Sequence, residues 1–415
     1  MPFSSLGLTP ALAHAMVAQG HIAPTPIQTA AVPVALTGRD VLAAAQTGSG
    51  KTAAFALVLL QQLAHATSHK PRVARALVVV PTRELATQVG DTLRTLAQHA
   101  GLAAKVTVVF GGVSINPQMM GLRGGTDIVV ATPGRLLDLL DRNALTLGGV
   151  HTLVLDEADR LMDLGFAVEL ERIRAALPAR HQSLLYSATF PPAVRAMAQT
   201  VLHDPEEITV VSQPEDQPDI TQRAIAVDAP QRTQLLRHLI TQNAWSRVLV
   251  FVATKHAAEV VADKLRRAGL LAEPFHAQLS QGKRTQVLMD FKDSAIGVVV
   301  ATDVAARGID ISDLPVVVNY DLPRSATDYT HRIGRTARAG ASGLAVSFVT
   351  ADMEAHFRLI EKRHRKPVPR EQVAGFEPAP RASDATGGTA GGGIKGIRPS
   401  KKDKLRAAGL LPPLA

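Results

Sequence analysis

The stretch VLAAAQTGSGKTAAF, Val41 to Phe55, joins a buried-strand pattern to a helix pattern through a glycine-rich turn. Such a turn lets successive backbone N–H groups point inward, and the helix N-terminus behind it favours an anion. Lys51 and Thr52 stand where a phosphate-binding loop has its lysine and its Mg²⁺-binding hydroxyl. The strict motif has Gly where this chain has Ala45, so a glycine-rich turn without nucleotide stays open as the alternative.

Short valine-rich runs recur along the chain, and helix-length segments separate them. Continuous apolar runs are typical of strands covered on both faces, as in parallel sheets. The runs are 41–45, 76–81, 105–110, 127–132, 152–159, 183–189 and 207–211, followed by 247–254, 296–303, 315–321 and 343–350. This alternation predicts an α/β fold with doubly wound parallel sheets, and the second group of runs echoes the first.

Changes in composition predict the domain boundaries. The polar stretch SQPEDQPDI interrupts the alternation, so we expect a first domain over 1–212, a linker over 213–219 and a second domain over 220–366. Residues 367–415 contain TGGTAGGG and the basic IRPSKKDKLR, which predict a disordered, low-complexity basic tail.

The overall composition favours an anionic partner. The chain has 415 residues, a net charge of +9 and no cysteine, which excludes disulfides and thiolate metal sites. A basic chain most often binds nucleic acid, although a merely basic soluble surface is the alternative. The N-terminus does not read as a secretory signal and the longest apolar run, 53–60, is too short to span a bilayer. These features predict a cytoplasmic protein with no membrane partner.

A second nucleotide signature is LVLDEAD. An apolar strand that ends in Asp156 predicts a carboxylate that holds Mg²⁺, and the adjacent Glu157 is placed to activate the attacking water. An acidic helix cap after a strand is the alternative for an isolated DE pair.

Together the motifs resemble those of the DEAD-box RNA helicases of superfamily 2. The segments AQTGSGKT, PTREL, TPGR, DEAD, SAT, ATDVAARGID and HRIGRTAR occur in the family's order over roughly residues 3–365. In that family Ala is usual at the first position of the phosphate loop, which resolves the question raised by Ala45. DEADRLMDLGF and the short tail look most like the bacterial RhlE-type subgroup. The resemblance implies two tandem RecA-like domains, ATP and Mg²⁺ as cofactors, and RNA as partner.

The resemblance also implies a nucleotide site. Gln28 would read adenine, Phe3 would pack near the base and Asp310 would contact the ribose. The nucleotide-binding residues implied are Phe3, Gln28, Ala45, Gln46, Thr47, Gly48, Ser49, Gly50, Lys51, Thr52 and Asp310, with Thr52 and Asp156 on the metal.

The residues that would act across the cleft come from HRIGRTAR. Arg332, Arg335 and Arg338 have three-residue spacing, which predicts one face of a helix. By resemblance Arg335 and Arg338 reach the γ-phosphate and join Lys51, Asp156 and Glu157 as catalytic residues; a solvated basic face is the alternative. Ser187, Thr189 and His331 would couple the ATP state to strand separation.

The remaining assignments are contacts to the RNA backbone. They are Arg83, Gly112, Thr132, Arg135, Thr254, Arg284 and Thr302, several at predicted strand ends, where doubly wound sheets bind ligands. An Arg or Thr at a strand end is by itself more often a cap, so these roles depend on the resemblance. One departure is HAQ, His276 to Gln278, where the family commonly has HGD or HGN.

The predicted function is an RNA-dependent ATPase that unwinds or remodels short RNA duplexes, with ribonucleoprotein, RNA-decay or ribosome-assembly partners. The alternative function is an ATP-gated RNA clamp or assembly scaffold, which would carry the same motifs. A DNA translocase is disfavoured by the DEAD segment and by GHIAPTPIQ, which ends in Gln28 and resembles the family's Q motif. A P-loop ATPase that acts on proteins is disfavoured by the phosphate-contact motifs.

Overall fold

Apolar strands form two parallel sheets, each with seven strands among the residues that the computed structural model describes. Those residues are 2–45, 48–66, 71–210, 219–306, 311, 313–337 and 342–379. The two sheets form the centres of two lobes, and both lobes belong to one unit that extends to Glu377. Tandem α/β domains with parallel sheets, predicted from the runs of valine, are confirmed.

The first lobe contains the first seven strands and nine of the described helices. The strands are β1 (Val41–Ala44), β2 (Ala76–Val79), β3 (Val106–Val109), β4 (Ile128–Ala131), β5 (Thr152–Leu155), β6 (Gln182–Ser187) and β7 (Glu206–Thr209). The helices are α1 (Pro10–Ala18), α2 (Pro26–Leu36), α3 (Lys51–Ala64), α4 (Arg83–His99), α5 (Asn116–Leu122), α6 (Pro133–Asp141), α7 (Ala158–Asp163), α8 (Ala167–Ala175) and α9 (Pro192–Val201), preceded by a 3₁₀ turn, Phe3–Leu6.

The second lobe contains the other strands. They are β8 (Ile220–Ala226), β9 (Val248–Val252), β10 (Ala272–Phe275), β11 (Val298–Thr302), β12 (Val316–Asn319), β13 (Gly343–Val349) and β14 (Arg370–Glu371). Its helices are α10 (Arg232–Gln242), α11 (Lys255–Arg267), α12 (Gln281–Lys292), α13 (Asp303–Ala306), α14 (Ala326–Ile333) and α15 (Glu354–His364), with a 3₁₀ turn at Ala229–Gln231.

The two sheets have the same topology. Their strand orders are β3-β4-β2-β5-β6-β1-β7 and β10-β11-β9-β12-β13-β8-β14, so each strand of the second sheet occupies the place of the strand seven earlier. In β2, β4, β5 and β6 every residue is buried, because helices cover both faces. All strands are parallel, so their carboxyl ends lie along one edge of each sheet.

The folded part of the second lobe continues beyond Lys366, where the sequence placed its end. Val368 is buried, and β14 pairs with β8. Arg370 lies 2.9 Å from Glu354 and 2.9 Å from Glu361, and its guanidinium lies over the ring of Phe357. The predicted boundary is therefore too early, since the apolar residues of this segment stand singly among charges and prolines. Residues 380–415, most of the predicted tail, and 211–218, most of the predicted linker, lie outside the described residues.

No helix in the described part of the chain is both long enough and apolar enough to cross a membrane.

We predict that truncation after Lys366 destabilises the protein, whereas truncation after Ala379 does not. The first truncation removes Val368 from its buried position and removes Arg370 from between Glu354 and Glu361. Together these losses should lower the free energy of unfolding by about 2–3 kcal/mol. Thermal unfolding should show a midpoint about 5 °C or more below that of the full chain. Equal midpoints for the two truncated chains would contradict the packing described.

Candidate active site

The glycine-rich turn lies between β1 and α3, at the carboxyl edge of the first sheet. Gly48 and Gly50 have φ of +84° and +92°, in the left-handed region that favours glycine. A Cβ atom on Gly50 would lie 2.6 Å from the Gln28 side-chain nitrogen, so a larger residue does not fit there. Lys51 is the first residue of α3, and the half-buried Thr52 follows it.

The Lys51 ammonium is held inside this turn. Its Nζ donates to the carbonyl oxygen of Ala45 at 2.6 Å. Burial lowers the pKa of Lys51, while Asp156 and Glu157 act in the opposite direction. The lysine thus lies between the turn and the two carboxylates, where a bound phosphate would be neutralised. Gln46 and Thr47, also predicted for this loop, lie outside the described residues, and Ser49 is half-buried.

Gln28 connects the N-terminal segment to the phosphate loop. The side chain is buried; its Oε1 accepts from the Thr25 amide at 3.0 Å, and its Nε2 donates to the carbonyl of Gly50 at 3.2 Å. Phe3 is buried in the core of the first lobe. The structure therefore assigns both residues packing roles, and their predicted contacts with adenine remain predictions.

The paired carboxylates directly follow β5. Asp156 and Glu157 are both buried, and Oδ1 of Asp156 accepts from the Glu157 amide at 2.9 Å. Burial raises the pKa of Asp156 to about 7, although Lys51 acts to lower it. Glu157 has a left-handed φ of 51°, which turns the chain sharply into α7. A buried carboxylate with this pKa favours a cation beside it, so Asp156 and the hydroxyl of Thr52 fit the oxygen ligands that Mg²⁺ prefers.

A hydrogen-bond network joins the DEAD and SAT segments. Asp159 Oδ2 accepts from the backbone amide of Thr189 at 3.0 Å and from its hydroxyl at 2.8 Å, and the Asp159 amide donates to Ser187 Oγ at 3.2 Å. The carbonyl of Ser187 in turn accepts from the amide of Ala45 at 3.1 Å. Ser187 and Thr189 are thus connected to both the phosphate loop and the DEAD segment. Sequence reasoning missed Asp159 as a site residue, although the fourth letter of DEAD was its signal.

The second lobe presents His331 and Arg335 to this region. With Arg160 of the first lobe, they line one small cavity. Burial lowers the pKa of His331 to about 4; the nearby Arg160 adds to this effect, and Asp159 opposes it. The ring is therefore neutral near pH 7 and lies among the charges of the first lobe.

The arginines of HRIGRTAR do not share one helix face, so that prediction is wrong. Helix α14 ends at Ile333, and Arg335 lies in the turn that follows. Arg332 points into the second lobe, where it donates to Asp303 at 2.6 and 2.7 Å. Residues spaced three apart lie on one helix face only if the helix extends over all of them. Arg338 and Asp310 lie outside the described residues.

Most of the predicted RNA contacts of the first lobe gather at the ends of β2, β3 and β4. A Cβ atom on Gly112 would clash with a terminal nitrogen of Arg83, so the guanidinium lies directly against the Gly112 backbone. Arg135 is buried and donates to the carbonyl of Val113 at 2.7 Å, which supports the same loop. Thr132 directly follows β4.

The corresponding half of the second sheet carries Thr254 and Thr302. Thr254 follows β9 and caps α11, because its hydroxyl accepts from the amide of Ala257 at 3.0 Å. Thr302 is the last residue of β11. These strands occupy the places of β2 and β4, so the predicted contacts of the two lobes lie at equivalent positions of their sheets.

Arg284 departs from this arrangement. Its side chain is buried, and its Nη2 lies 3.0 Å from Oε1 of Glu84 in the other lobe. The structure therefore gives Arg284 a lobe-to-lobe contact in place of an exposed position on an RNA path. In the HAQ segment, His276 is buried with its Nε2 2.7 Å from Glu259, whereas Ala277 and Gln278 are exposed.

Comparisons with known proteins agree with this geometry. The DEAD/DEAH box helicase family matches residues 25–197, and the helicase conserved C-terminal domain matches residues 231–340. The DEAD-box ATP-dependent RNA helicase CshA of Bacillus cereus is 39% identical over 368 residues, which are 89% of this chain and 69% of that protein.

Two solved structures are similar over most of the chain. S. cerevisiae Dbp5 bound to RNA and ADP BeF3 has a TM-score of 0.79 at 30% identity, over 89% of this chain and 95% of that one. Mss116p bound to ssRNA and AMP-PNP has a TM-score of 0.79 at 28% identity, over 91% and 79% of the two chains. On its sequence, fold and site geometry, this chain belongs to the DEAD-box ATP-dependent RNA helicases.

Proposed function

We propose that this protein hydrolyses ATP in response to bound RNA and uses the joined state of its lobes to separate short RNA duplexes. The observation that carries the proposal is the cavity that Arg160 lines together with His331 and Arg335. It supports a catalytic site made of residues from both lobes. Since neither lobe alone supplies the complete set, a ligand that brings the lobes together accelerates turnover.

Within this site Lys51 binds the β- and γ-phosphates, and the backbone of the glycine-rich turn surrounds them. Thr52 and Asp156 would hold Mg²⁺, which would supply positive charge to neutralise the phosphates. Glu157 orients and deprotonates the attacking water, and Arg335, with Arg338, stabilises the charge that develops on the γ-phosphate. The buried, neighbouring positions of Asp156 and Glu157 support this division of roles.

We further propose that RNA lies across the β3-β4-β2 half of the first sheet and the β10-β11-β9 half of the second. Arg83, Gly112, Thr132, Thr254 and Thr302 contact its backbone, and Arg135 positions the loop that contains Gly112. These groups recognise phosphate and ribose, so the protein binds with little sequence preference. The hydrogen-bond network of Ser187, Asp159 and Thr189, together with His331, couples the RNA-binding halves of the sheets to the nucleotide site.

The subgroup within the family and the cellular role are also proposals. The segment DEADRLMDLGF supports membership of the RhlE-type subgroup. A cytoplasmic protein of this class would act on ribonucleoprotein substrates, such as those of RNA decay or ribosome assembly.

The function is tested by measuring ATP turnover with and without single-stranded RNA, and then displacement of a strand from a short duplex. We expect turnover to depend on RNA, DNA of the same sequence to stimulate it less, and ATP to drive displacement. Equal turnover with and without RNA would refute the proposal. RNA-stimulated turnover without displacement would instead indicate an ATP-gated clamp.

We predict that Glu157→Gln retains ATP and RNA but loses turnover by about 10²–10⁴-fold, the usual contribution of a general base. The amide keeps the shape of the side chain and cannot accept the proton. Pre-steady-state phosphate release and equilibrium RNA binding with a non-hydrolysable ATP analogue measure the two effects. Glu207→Gln, an exposed glutamate on the edge strand β7, is the control. Normal turnover by Glu157→Gln would exclude the residue from this role.

We also predict that the basic tail tethers RNA. Truncation after Ala379 removes Lys401, Lys402, Lys404 and Arg406. RNA affinity should fall, and the slope of log K against log salt should flatten by about 0.7 for each phosphate of a single strand that the tail had neutralised. An unchanged slope would indicate an inert tail.

A further inference from the structure

A buried ion pair lies within the first lobe, at the residue proposed to activate water. Nε of Arg160 lies 3.3 Å from Oε2 of Glu157, and the two side chains are only 4% and 11% exposed. This carboxylate oxygen is buried and accepts no hydrogen bond from any residue that the structure describes. The charge on Oε2 is therefore compensated by the adjacent guanidinium and not by hydrogen bonds.

The backbone before α7 fixes the spacing of the pair. Glu157 has a left-handed φ of 51°, which a residue with a side chain keeps only when its surroundings hold it there. Its carbonyl oxygen accepts from the amides of Arg160 and Leu161 at 2.9 and 3.0 Å. The Arg160 amide also donates to Oδ1 of Asp159 at 3.1 Å. Both charged side chains thus start from one short turn with a well-fixed backbone.

Two other carboxylates near Arg160 are engaged elsewhere. Oδ2 of Asp159 accepts two hydrogen bonds from the SAT segment. Asp303 lines the same small cavity as Arg160, but it pairs with Arg332 at 2.6 Å. In the part of the chain that the structure describes, Glu157 is the only carboxylate that pairs with the Arg160 side chain. The guanidinium is therefore committed to this one glutamate.

The two oxygens of Glu157 have different surroundings. Oε2 is enclosed beside the guanidinium, whereas Oε1 is not enclosed in this way and makes no hydrogen bond to another described residue. A general base must present an oxygen within hydrogen-bond reach of the water that it deprotonates. Because the carboxylate is held at Oε2, rotation of the group is opposed and Oε1 keeps one direction.

Loss of the guanidinium would change that direction. Removal of one partner leaves a buried charge without its counter-ion, which is strongly unfavourable. The Glu157 carboxylate would then turn towards water or towards another cation, such as Lys51, whose charge already interacts with it. Displacement of a reacting group by about 1 Å lowers a rate by about 10²-fold, so a small reorientation is enough to slow hydrolysis.

We propose that Arg160 is a positioning residue for ATP hydrolysis. Its guanidinium holds Oε2 of Glu157 and thereby directs Oε1 at the attacking water. The contact lies within one lobe and beside the base, so it acts on the hydrolytic step and not on the binding of ATP or RNA. This proposal rests on the proposed function, because it assigns the orientation of the base that the function requires.

The test is a double-mutant cycle with Arg160→Met, Glu157→Gln and the double variant, in the full-length protein. Methionine keeps an unbranched stem and removes the charge. RNA-stimulated phosphate release, measured under single-turnover conditions, should slow by about 10–10²-fold in Arg160→Met. In the Glu157→Gln background the same substitution should cause no further loss, because no carboxylate is left to position.

Binding measurements separate positioning from other roles. In Arg160→Met the affinity for a non-hydrolysable ATP analogue and the RNA concentration for half-maximal turnover should stay within about twofold of the unmodified values. A guanidinium that contacted phosphate would instead be needed for analogue binding. The matched control is Arg174→Met, which breaks an exposed Glu171–Arg174 pair with the same three-residue spacing and should leave turnover unchanged.

The unfolding midpoint of each variant sets the temperature of the comparison. Arg160→Met leaves a buried charge unpaired, so its midpoint should fall, and all rates are compared below the lowest midpoint. If Arg160→Met does not fold, Arg160→Gln takes its place in the cycle with the same expected results.

Normal or faster turnover by Arg160→Met would overturn the proposal. So would a further loss in the Glu157→Gln background, or a loss of analogue affinity. If the unmodified protein showed no RNA stimulation, or if Glu157→Gln alone turned over normally, the proposed function would fail instead, so the two failures are distinguishable.

Discussion

The organisation of this molecule depends on a constraint of parallel sheets: every strand ends at the same edge. In each lobe the strands run in one direction, so the loops after them converge on that edge. Strand order then divides the edge into two halves. In the first lobe, β1, β5 and β6 carry the phosphate loop and the DEAD and SAT segments, whereas β2, β3 and β4 carry the groups proposed to bind RNA. One sheet thus separates the two proposed ligand sites and keeps them on a common support.

The same constraint explains why so many charged side chains are buried. Lys51, Asp156 and Glu157 lie in one half of the first edge, and each would be expensive to bury alone. Burial raises the pKa of Asp156 to about 7 and lowers that of Lys51, and each of the two charges opposes the shift of the other. Such a set is poised for a ligand that brings both negative charge and a cation, as ATP with Mg²⁺ does.

The sequence predicted the sheets and the loops well, because buried strands of valine and leucine have a pattern that local composition does not disguise. It missed β8, β10 and β14. Strand β8 is only partly buried, and β14 has two residues. Strand β10 contains Glu273 and Pro274 and lies at the sheet edge, where proline is tolerated. Tertiary pairing, and not local pattern, makes these segments strands.

The candidate site was predictable where a motif fixes its own geometry, and not where the geometry depends on a distant partner. Lys51 and Asp156 are positioned by the strands immediately before them, so their spacing in the sequence suffices. The Arg332 side chain points into its lobe because it pairs with Asp303, and the Arg284 side chain is buried because it pairs with Glu84. A three-residue spacing of arginines does not show that the helix stops at Ile333.

Two separate contacts between the lobes restrict their relative rotation more than a single contact would. Arg160 of the first lobe meets His331 and Arg335 of the second around a cavity at the nucleotide half of the edge. The Glu84–Arg284 pair connects the lobes at the other half. A single contact would leave the lobes free to rotate about it. Two separated contacts restrict that rotation to a single axis, so under the proposed function nucleotide and RNA would each favour the same arrangement of the lobes. Under the proposed function, coupling between ATP and RNA follows, because each ligand would stabilise the same alignment.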